Sequence, residues 1–299
     1  MASMSYRDLT EPKALLVDSV PCLLSMINAI FDSTIDAPLL CIDIKETRPG
    51  DHRLSSILTL YLLPTRRLYL IDLFTLEAKA FSTLDSHGRS LKSILEAKDI
   101  PKVIFDCRPD VGLLWNHYEV SLDNVIDLQI MELSAGLNFS PFVDHHLQSL
   151  ALCIHQSEKI TPEEQAAWRS TKRDSQSLFN DDWNCRLSSL TTSPLWQDVV
   201  KSCAGDVVLL SHLYEEYEAK LDTPREKLWK LYTLALMEER IRNSKLEGYE
   251  RIKNDDLPWS RAAFDLAAWQ LAPPQNAPQI TESYLSSLNE LLISSWLQR

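Results

Sequence analysis

The sequence predicts an α/β protein in which a mixed β-sheet is flanked by helices and followed by a helical C-terminal extension. In the first half of the 299-residue chain, short apolar segments bounded by turn residues alternate with helix-like segments. In the second half, apolar residues recur at the 3.6-residue period of helices. The composition, 45% hydrophobic and 24% charged, is typical of a globular protein.

The first half contains the segments that predict the sheet. Strands are expected at 38–44, 54–63, 68–72, 102–105 and 124–129, with a hairpin turn at 64–67 joining the second and third. Two helices are expected between the later strands, at 90–97 and 110–118. Three strands able to pair antiparallel, followed by alternating helices and strands, predict a mixed sheet with helices packed on it.

The second half predicts helices at 145–154, 162–171, 195–221 and 224–246. Residues 174–193 are polar and irregular and are interpreted as a surface loop. A Pro-rich linker near 272–281 precedes a short amphipathic helix at 284–297. We therefore divide the chain into an α/β domain at 1–222 and a helical extension at 223–299.

The composition excludes several classes of function. The six glycines are far apart, so no glycine-rich phosphate-binding loop is present. A formal net charge of −12 argues against the broad basic surface of a non-specific DNA-binding protein. Six cysteines without a CxxC pair indicate reduced thiols. With no apolar run long enough to span a bilayer, we expect an intracellular protein, cytoplasmic or nuclear, without a membrane partner.

Aspartates within apolar segments indicate a candidate site. Asp43 lies near the end of the first strong strand, Asp110 lies at the start of a helix, and Asp206 lies inside the long apolar helix at 195–221. A buried carboxylate is costly unless it is paired or binds a cation, so the three could converge on one cation site. Taken singly, each has a structural explanation, and Asp110 could simply cap its helix.

Four blocks of sequence together resemble a known family: LLCIDIKE, LSSILTLYLLPTRRLYLIDLFTL, KVIFDCRPDVGLLWNHYEVSLDNVIDLQIMEL and SPLWQDVVKSCAGDVVLLSHLYEEY. Over residues 15–221 the chain is similar to DnaQ-like 3′–5′ exonuclease domains of the RNase D/Werner-type branch, especially the eukaryotic proteins common in fungi. The resemblance implies an RNase H-like/DnaQ-like fold. It also implies two Mg²⁺ or Mn²⁺ ions held by four acids, of which Asp43, Asp110 and Asp206 match by position, and a buttressing role for Asp127.

The chain departs from the family at two positions. Lys45 stands where the family has a metal-binding glutamate, and Ser202 stands where it has a tyrosine that positions the attacking water. Because residues i and i+2 of a strand share a face, Lys45 should point where Asp43 points. Glu46 is a possible substitute acid if a bulge shifts the strand. The Lys45 ammonium either replaces a metal ion among the aspartates or extends to solvent.

Three functions follow from these residues. The one we favour is a catalytically impaired exonuclease fold that serves as an RNA- or protein-binding adaptor and holds no metal because of Lys45. The alternatives are an active Mg²⁺- or Mn²⁺-dependent exonuclease using the three aspartates, and an assembly module that associates with a protein or with itself through its C-terminal helices. Single-stranded nucleic acid, RNA above all, would contact basic side chains, for which the candidates are Arg66, Arg67, Arg169, Lys172 and Arg173, with a further basic region at Arg240, Arg242, Lys245, Arg251 and Lys253.

Overall fold

A mixed β-sheet lies at the centre of the molecule. The structure is a computed structural model that describes residues 14–32, 39–46, 56–136, 147–175, 195–221 and 227–246. Its six strands are β1 (Ala14–Val17), β2 (Leu40–Glu46), β3 (Ser56–Leu62), β4 (Arg67–Asp72), β5 (Lys102–Ile104) and β6 (Val125–Asp127). They are ordered β1-β4-β3-β2-β5-β6, and β3 runs antiparallel to both of its neighbours while the other pairs are parallel. The predicted mixed sheet is confirmed.

Helices cover both faces of this sheet. In chain order they are α1 (Val20–Phe31), α2 (Leu73–Leu76), α3 (Lys79–Ser82), α4 (Leu91–Leu95), α5 (Arg108–Tyr118), α6 (Leu128–Gly136), α7 (Leu150–Gln156), α8 (Pro162–Ser175), α9 (Leu195–Leu221) and α10 (Lys227–Ser244). Helices α1 to α5 enclose one apolar core with the sheet, and α6, α7 and α9 enclose a second core on the opposite face. No helix among the described residues is both long enough and apolar enough to cross a bilayer.

The alternation of side chains along β2 decides which residues face α9. Leu40 and Ile42 lie in the core beneath α1 to α5, whereas Cys41 lies in the core beneath α9. Residues two apart in a strand share a face, so Asp43 and Lys45 point to the same side as Cys41. The strand therefore directs both side chains toward α9.

Several element boundaries differ from those predicted. Strand β1 and helix α1 were not expected, and β1 extends the sheet by pairing with β4. The strand expected at 124–129 ends at Asp127 because its carboxylate accepts the backbone N–H of Gln129 and so begins α6. Helix α5 begins at Arg108 rather than at 110. The predicted loop at 174–193 lies almost wholly outside the described residues, as do the linker at 272–281 and the helix at 284–297.

Helix α10 packs on the α/β part of the chain. It contacts α5, α6 and β6, and the Thr233 hydroxyl donates to the Ser134 hydroxyl across 2.6 Å. Lys245, just after α10, donates to the Ser121 hydroxyl at 2.7 Å. The division at residue 222 stays a prediction, but these contacts tie the beginning of the extension to the sheet domain.

Glu132, on α6, should make stability depend on pH. Burial raises the pKa of its carboxyl to about 7, with Lys220 opposing the shift. Because the folded pKa lies above the unfolded value, this group's contribution to stability is complete below about pH 4.5 and is lost as the pH rises through 7. Glu132→Gln should therefore raise the free energy of unfolding by about 1–2 kcal/mol at pH 8 and leave it unchanged near pH 4.

Denaturant unfolding at the two pH values measures this effect. The exposed Glu238, on α10, provides the control, since Glu238→Gln should change stability little at either pH. An equal gain for Glu132→Gln at pH 4 and pH 8 would show that packing, not ionisation, causes the change.

Candidate active site

The candidate site lies at one edge of the sheet, beneath α9. Strands β2 and β5 are parallel neighbours, so their carboxyl ends meet at the same edge. Asp43 and Lys45 occupy this half of β2, and the turn after β5 leads into α5, whose first turn carries Asp110. Helix α9 packs across β2, β3 and β5 and contributes Asp206 and Ser202.

Lys45 lies between two of the three aspartates that the sequence predicts as metal ligands. Its ammonium hydrogen-bonds to Oδ2 of Asp206 and lies 3.3 Å from Oδ2 of Asp43. The lysine side chain is 14% exposed and the Asp206 side chain only 4%, so the pair is largely withdrawn from water. The alternative in which Lys45 extends to solvent is therefore wrong. The two carboxylates bind the ammonium instead.

The charges in this cluster stabilise one another. Burial by itself would lower the pKa of Lys45, but the negative charges of Asp206 and Asp43 outweigh it and raise that pKa well above its usual value. Burial would likewise raise the pKa of Asp206, yet the charges of Lys45 and Lys172 outweigh it and the pKa is lowered. Both groups are thus ionised at neutral pH.

Helix α8 supplies two more partners for Asp206. The Lys172 ammonium donates to Oδ2 of Asp206 at 2.5 Å, and the Trp168 indole N–H donates to Oδ1 at 3.2 Å. Residues four apart on a helix share a face, which is why both reach the same carboxylate. The Lys172 ammonium also lies 5.6 Å from the centre of the Trp168 ring. Asp206 is consequently bound by two cations and an indole.

The other site residues predicted from the sequence are Asp110, Ser202 and Glu46. Asp110 is 7% exposed in the first turn of α5; it does not cap the helix, because the N-cap position is Cys107. Ser202 is buried one helical turn before Asp206 and presents a hydroxyl where the family tyrosine would stand. Glu46 pairs through its backbone with Ser56, and its side chain lies outside the described residues.

Two further buried side chains, those of Thr59 and Cys203, lie next to this cluster. Thr59 pairs with Asp43 across the β2–β3 ladder and is fully buried. Burial raises the pKa of the Cys203 thiol to about 11, although the Lys45 charge opposes the shift. Cys203 is therefore a neutral thiol, and thiolate chemistry is not available to it at physiological pH.

These residues do not fit a two-metal site. Metal ions of this kind require several carboxylate oxygens with open lone pairs around one point. Here the Lys45 ammonium binds Asp43 and Asp206, and Lys172 binds Asp206 as well. Within the described part of the chain, no group of three or more His, Cys, Asp or Glu side chains is arranged to hold a metal ion.

A second buried ion network supports the turn that precedes Asp110. The carboxylate of Asp127, which is fully buried, accepts the backbone N–H groups of Asp106 and Cys107, each at 3.0 Å. Arg240 of α10 donates to the same carboxylate at 2.6 Å and to Oε1 of Gln129 at 2.9 Å. Asp127 thus buttresses the site, as the resemblance implies.

A family model for 3′–5′ exonucleases matches residues 58–222, more than half of the chain. The chain belongs to the 3′–5′ exonuclease family. The piRNA biogenesis protein EXD1 of Mus musculus is 33% identical over 97 residues, 32% of this chain and 16% of that protein. The Homo sapiens EXD1 is 35% identical over 91 residues, covering 30% and 16%. The matches therefore cover less than a fifth of these two relatives.

Solved structures confirm the RNase D-type, DnaQ-like fold of this exonuclease-family domain. The crystal structure of Trypanosoma brucei RNase D in complex with RNA U12 has a TM-score of 0.64 and 18% identity, covering 87% of this chain and 80% of that one. Escherichia coli RNase D has a TM-score of 0.51 and 18% identity, covering 78% and 51%. At these identities the likeness concerns the fold alone.

The basic side chains predicted to contact nucleic acid lie in different parts of this exonuclease-family domain. Arg66 and Arg67 are exposed at the turn between β3 and β4. This turn follows Leu62, which pairs with Leu40, the first residue of β2. Because the site lies toward the other end of β2, the turn lies at the opposite edge of the sheet. Arg169 and Arg173 are exposed on α8, near Lys172. The structure therefore does not bring the five predicted nucleic-acid contacts together.

The residues of the second predicted basic region, at 240–253, also differ in their surroundings. Arg240 is 9% exposed and bound to Asp127, so its interpretation as a nucleic-acid contact is wrong. Arg242 is exposed, and Lys245 lies 5.5 Å from the centre of the Trp115 ring. Arg251 and Lys253 lie outside the described residues.

Sequence reasoning missed the roles of Trp168 and Arg240. Trp168 and Lys172 are four residues apart, so the sequence indicates that they share a helix face. Nothing in the sequence shows that this face contacts Asp206. Arg240 stands in a run of charged residues that resembles a solvated helix face. Only the fold reveals that Asp127 lies opposite it.

Proposed function

We propose that this chain is a catalytically impaired member of the 3′–5′ exonuclease family that binds single-stranded RNA. The observation that carries the proposal is the Lys45 ammonium bound by Asp206 and Asp43. A carboxylate that already neutralises a lysine binds a divalent cation weakly. The cation has to displace the ammonium, because a bound ammonium cancels one of the negative charges that would attract the cation. The Ser202 hydroxyl, in place of the family tyrosine, removes the phenol that would orient water.

The preference for RNA draws on the relatives. The trypanosomal RNase D forms a complex with RNA U12, and the EXD1 proteins are named for piRNA biogenesis. In this chain, Arg169 and Arg173 are exposed on α8, and each directly follows a residue that donates to Asp206. Guanidinium groups bind phosphate in a bidentate manner, and such contacts do not depend on base sequence. An adaptor of this kind would also contact a protein partner or a second copy through its C-terminal helices.

The alternative is an active Mg²⁺- or Mn²⁺-dependent exonuclease that uses Asp43, Asp110 and Asp206. Membership of the family favours it, and Asp110, buried in the first turn of α5, keeps a carboxylate at the third family position. In that mechanism a metal would have to displace Lys45 from both aspartates.

One experiment separates the two functions by measuring binding and digestion in the same sample. A 3′-labelled single-stranded RNA is incubated with the wild-type chain and Mn²⁺, and the products are resolved on native and denaturing gels. We expect a retained complex, intact RNA, and no loss of the complex when EDTA is added. Digestion by the wild type that is lost in Asp110→Asn would overturn the proposal and support the alternative.

The same binding assay tests the α8 surface. Arg169→Glu/Arg173→Glu should weaken RNA binding at least tenfold and reduce the dependence of affinity on salt, because phosphate contacts are lost. Arg66→Glu/Arg67→Glu is the matched control, with the same change of charge at the opposite sheet edge. An equal loss in both double variants would indicate that net charge, not the α8 surface, determines binding.

A further inference from the structure

Helix α8 packs on α9 and contributes two side chains that bind the carboxylate of Asp206. Lys172 and Trp168 both donate to the Asp206 carboxylate, at 2.5 Å and 3.2 Å. Lys45 also donates to Oδ2, so one buried carboxylate accepts from three side chains on two elements. The Lys172 side chain is 34% exposed, whereas that of Asp206 is 4% exposed, so Lys172 lies at the solvent boundary of the cluster.

Gly205 shows that α9 packs closely against α8 next to Asp206. A Cβ added to Gly205 would lie 3.2 Å from Cδ1 of Trp168, closer than ordinary van der Waals contact. Glycine in the middle of a helix costs about 1 kcal/mol relative to alanine, so the position needs a packing reason. The indole ring supplies it, because even a Cβ at position 205 would press on the ring that donates to Asp206.

We propose that Lys172, positioned by Trp168, is a second cation that excludes divalent metal from Asp206 independently of Lys45. The proposal rests on the proposed function, since it concerns how the family's metal chemistry is prevented in this chain. It predicts that restoring a glutamate at position 45 does not by itself restore a metal site. With Lys45→Glu, the Asp206 carboxylate would still be neutralised by the Lys172 ammonium.

Charge counting gives the expected order of metal affinities. By formal charge, Asp43, Asp206, Lys45 and Lys172 together carry no net charge. Lys45→Glu changes this set to two net negative charges, and adding Lys172→Gln makes three. Close opposite charges attract strongly at partly buried sites, so removal of Lys172 should strengthen binding of a divalent cation at least tenfold.

The test is Mn²⁺ binding to the full chain, measured from the electron paramagnetic resonance signal of the free ion. The variants are Lys45→Glu, Lys45→Glu/Lys172→Gln and, as a matched control, Lys45→Glu/Arg173→Gln. We expect the Lys172 double variant to bind Mn²⁺ at least tenfold more tightly than Lys45→Glu, and the Arg173 control to differ by less than threefold. Equal affinities for Lys45→Glu and the Lys172 double variant would overturn the proposal.

A second measurement keeps the proposal testable if clustered carboxylates prevent the double variant from folding. In an otherwise wild-type chain, a double-mutant cycle compares Lys172→Gln with Asp206→Asn by denaturant unfolding. We expect the effect of Lys172→Gln and Asp206→Asn together on the unfolding equilibrium constant to differ at least fivefold from the product of the two single effects. For the control pair, Arg173→Gln and Asp206→Asn, we expect the combined effect to equal that product. Absence of coupling for Lys172 would overturn the proposal. RNA digestion by the wild type would overturn the proposed function without affecting this comparison.

Discussion

Asp206→Asn is expected to lower the free energy of unfolding by about 3 kcal/mol. The reason is that the variant removes the negative charge that the Lys45 ammonium, 14% exposed, shares with Lys172. A working metal site would behave in the opposite way. There, clustered carboxylates repel one another without metal, so neutralising one should leave stability unchanged or raise it.

Urea or guanidinium unfolding at pH 7 in the presence of EDTA measures this difference. The matched control is Asp198→Asn, an exposed aspartate in the first turn of the same helix, which should cost less than about 1 kcal/mol. A neutral or stabilising effect of Asp206→Asn would show that Lys45 does not depend on this carboxylate.

Arg240→Met should cost about 3–5 kcal/mol, because it leaves the fully buried Asp127 carboxylate without its cationic partner. The backbone N–H groups of Asp106 and Cys107 would continue to donate to Asp127, which moderates the loss. The methionine keeps most of the apolar volume of the arginine stem, so the measured change reports mainly the charge.

The neighbouring Arg242 provides the control for this prediction. It is exposed in the last turn of α10, and Arg242→Met should change stability by less than about 1 kcal/mol. Equal losses for the two variants in denaturant unfolding would contradict the role given to Arg240. A large loss confined to Arg240→Met would also support the view that α10 folds together with the α/β part.

Much of the fold could be predicted because apolar periodicity reports burial directly. Short apolar segments bounded by turn residues identified β2 and β3, and their residues Leu40, Ile42, Leu58 and Leu60 lie in one core. Strand β1 was not predictable in the same way. Its four residues are too few to show alternation, and what makes them a strand is parallel pairing with β4, a long-range contact. Helix α1 carried a detectable signal, with Leu23, Ile27 and Ile30 at helical spacing.

The site could be predicted only in part. Strand geometry correctly indicated that Lys45 shares a face with Asp43, because this rule depends on local backbone alone. The contacts of Lys172 with Asp206 and of Arg240 with Asp127 join residues 34 and 113 positions apart. Such pairs are created by helix packing, and no single sequence displays them. Basic residues on helices therefore look like a solvated face until the packed partner is known.

The stability of the wild-type chain with and without divalent cation tests whether Lys45 replaces metal at this site. Thermal unfolding is measured at pH 7 in EDTA and in excess Mn²⁺. A metal bound to the folded state at a hundred times its dissociation constant would add about 2.7 kcal/mol and raise Tm by several degrees. We predict an unchanged Tm. A rise of several degrees that is lost in Asp206→Asn would show that the wild-type site binds metal despite Lys45.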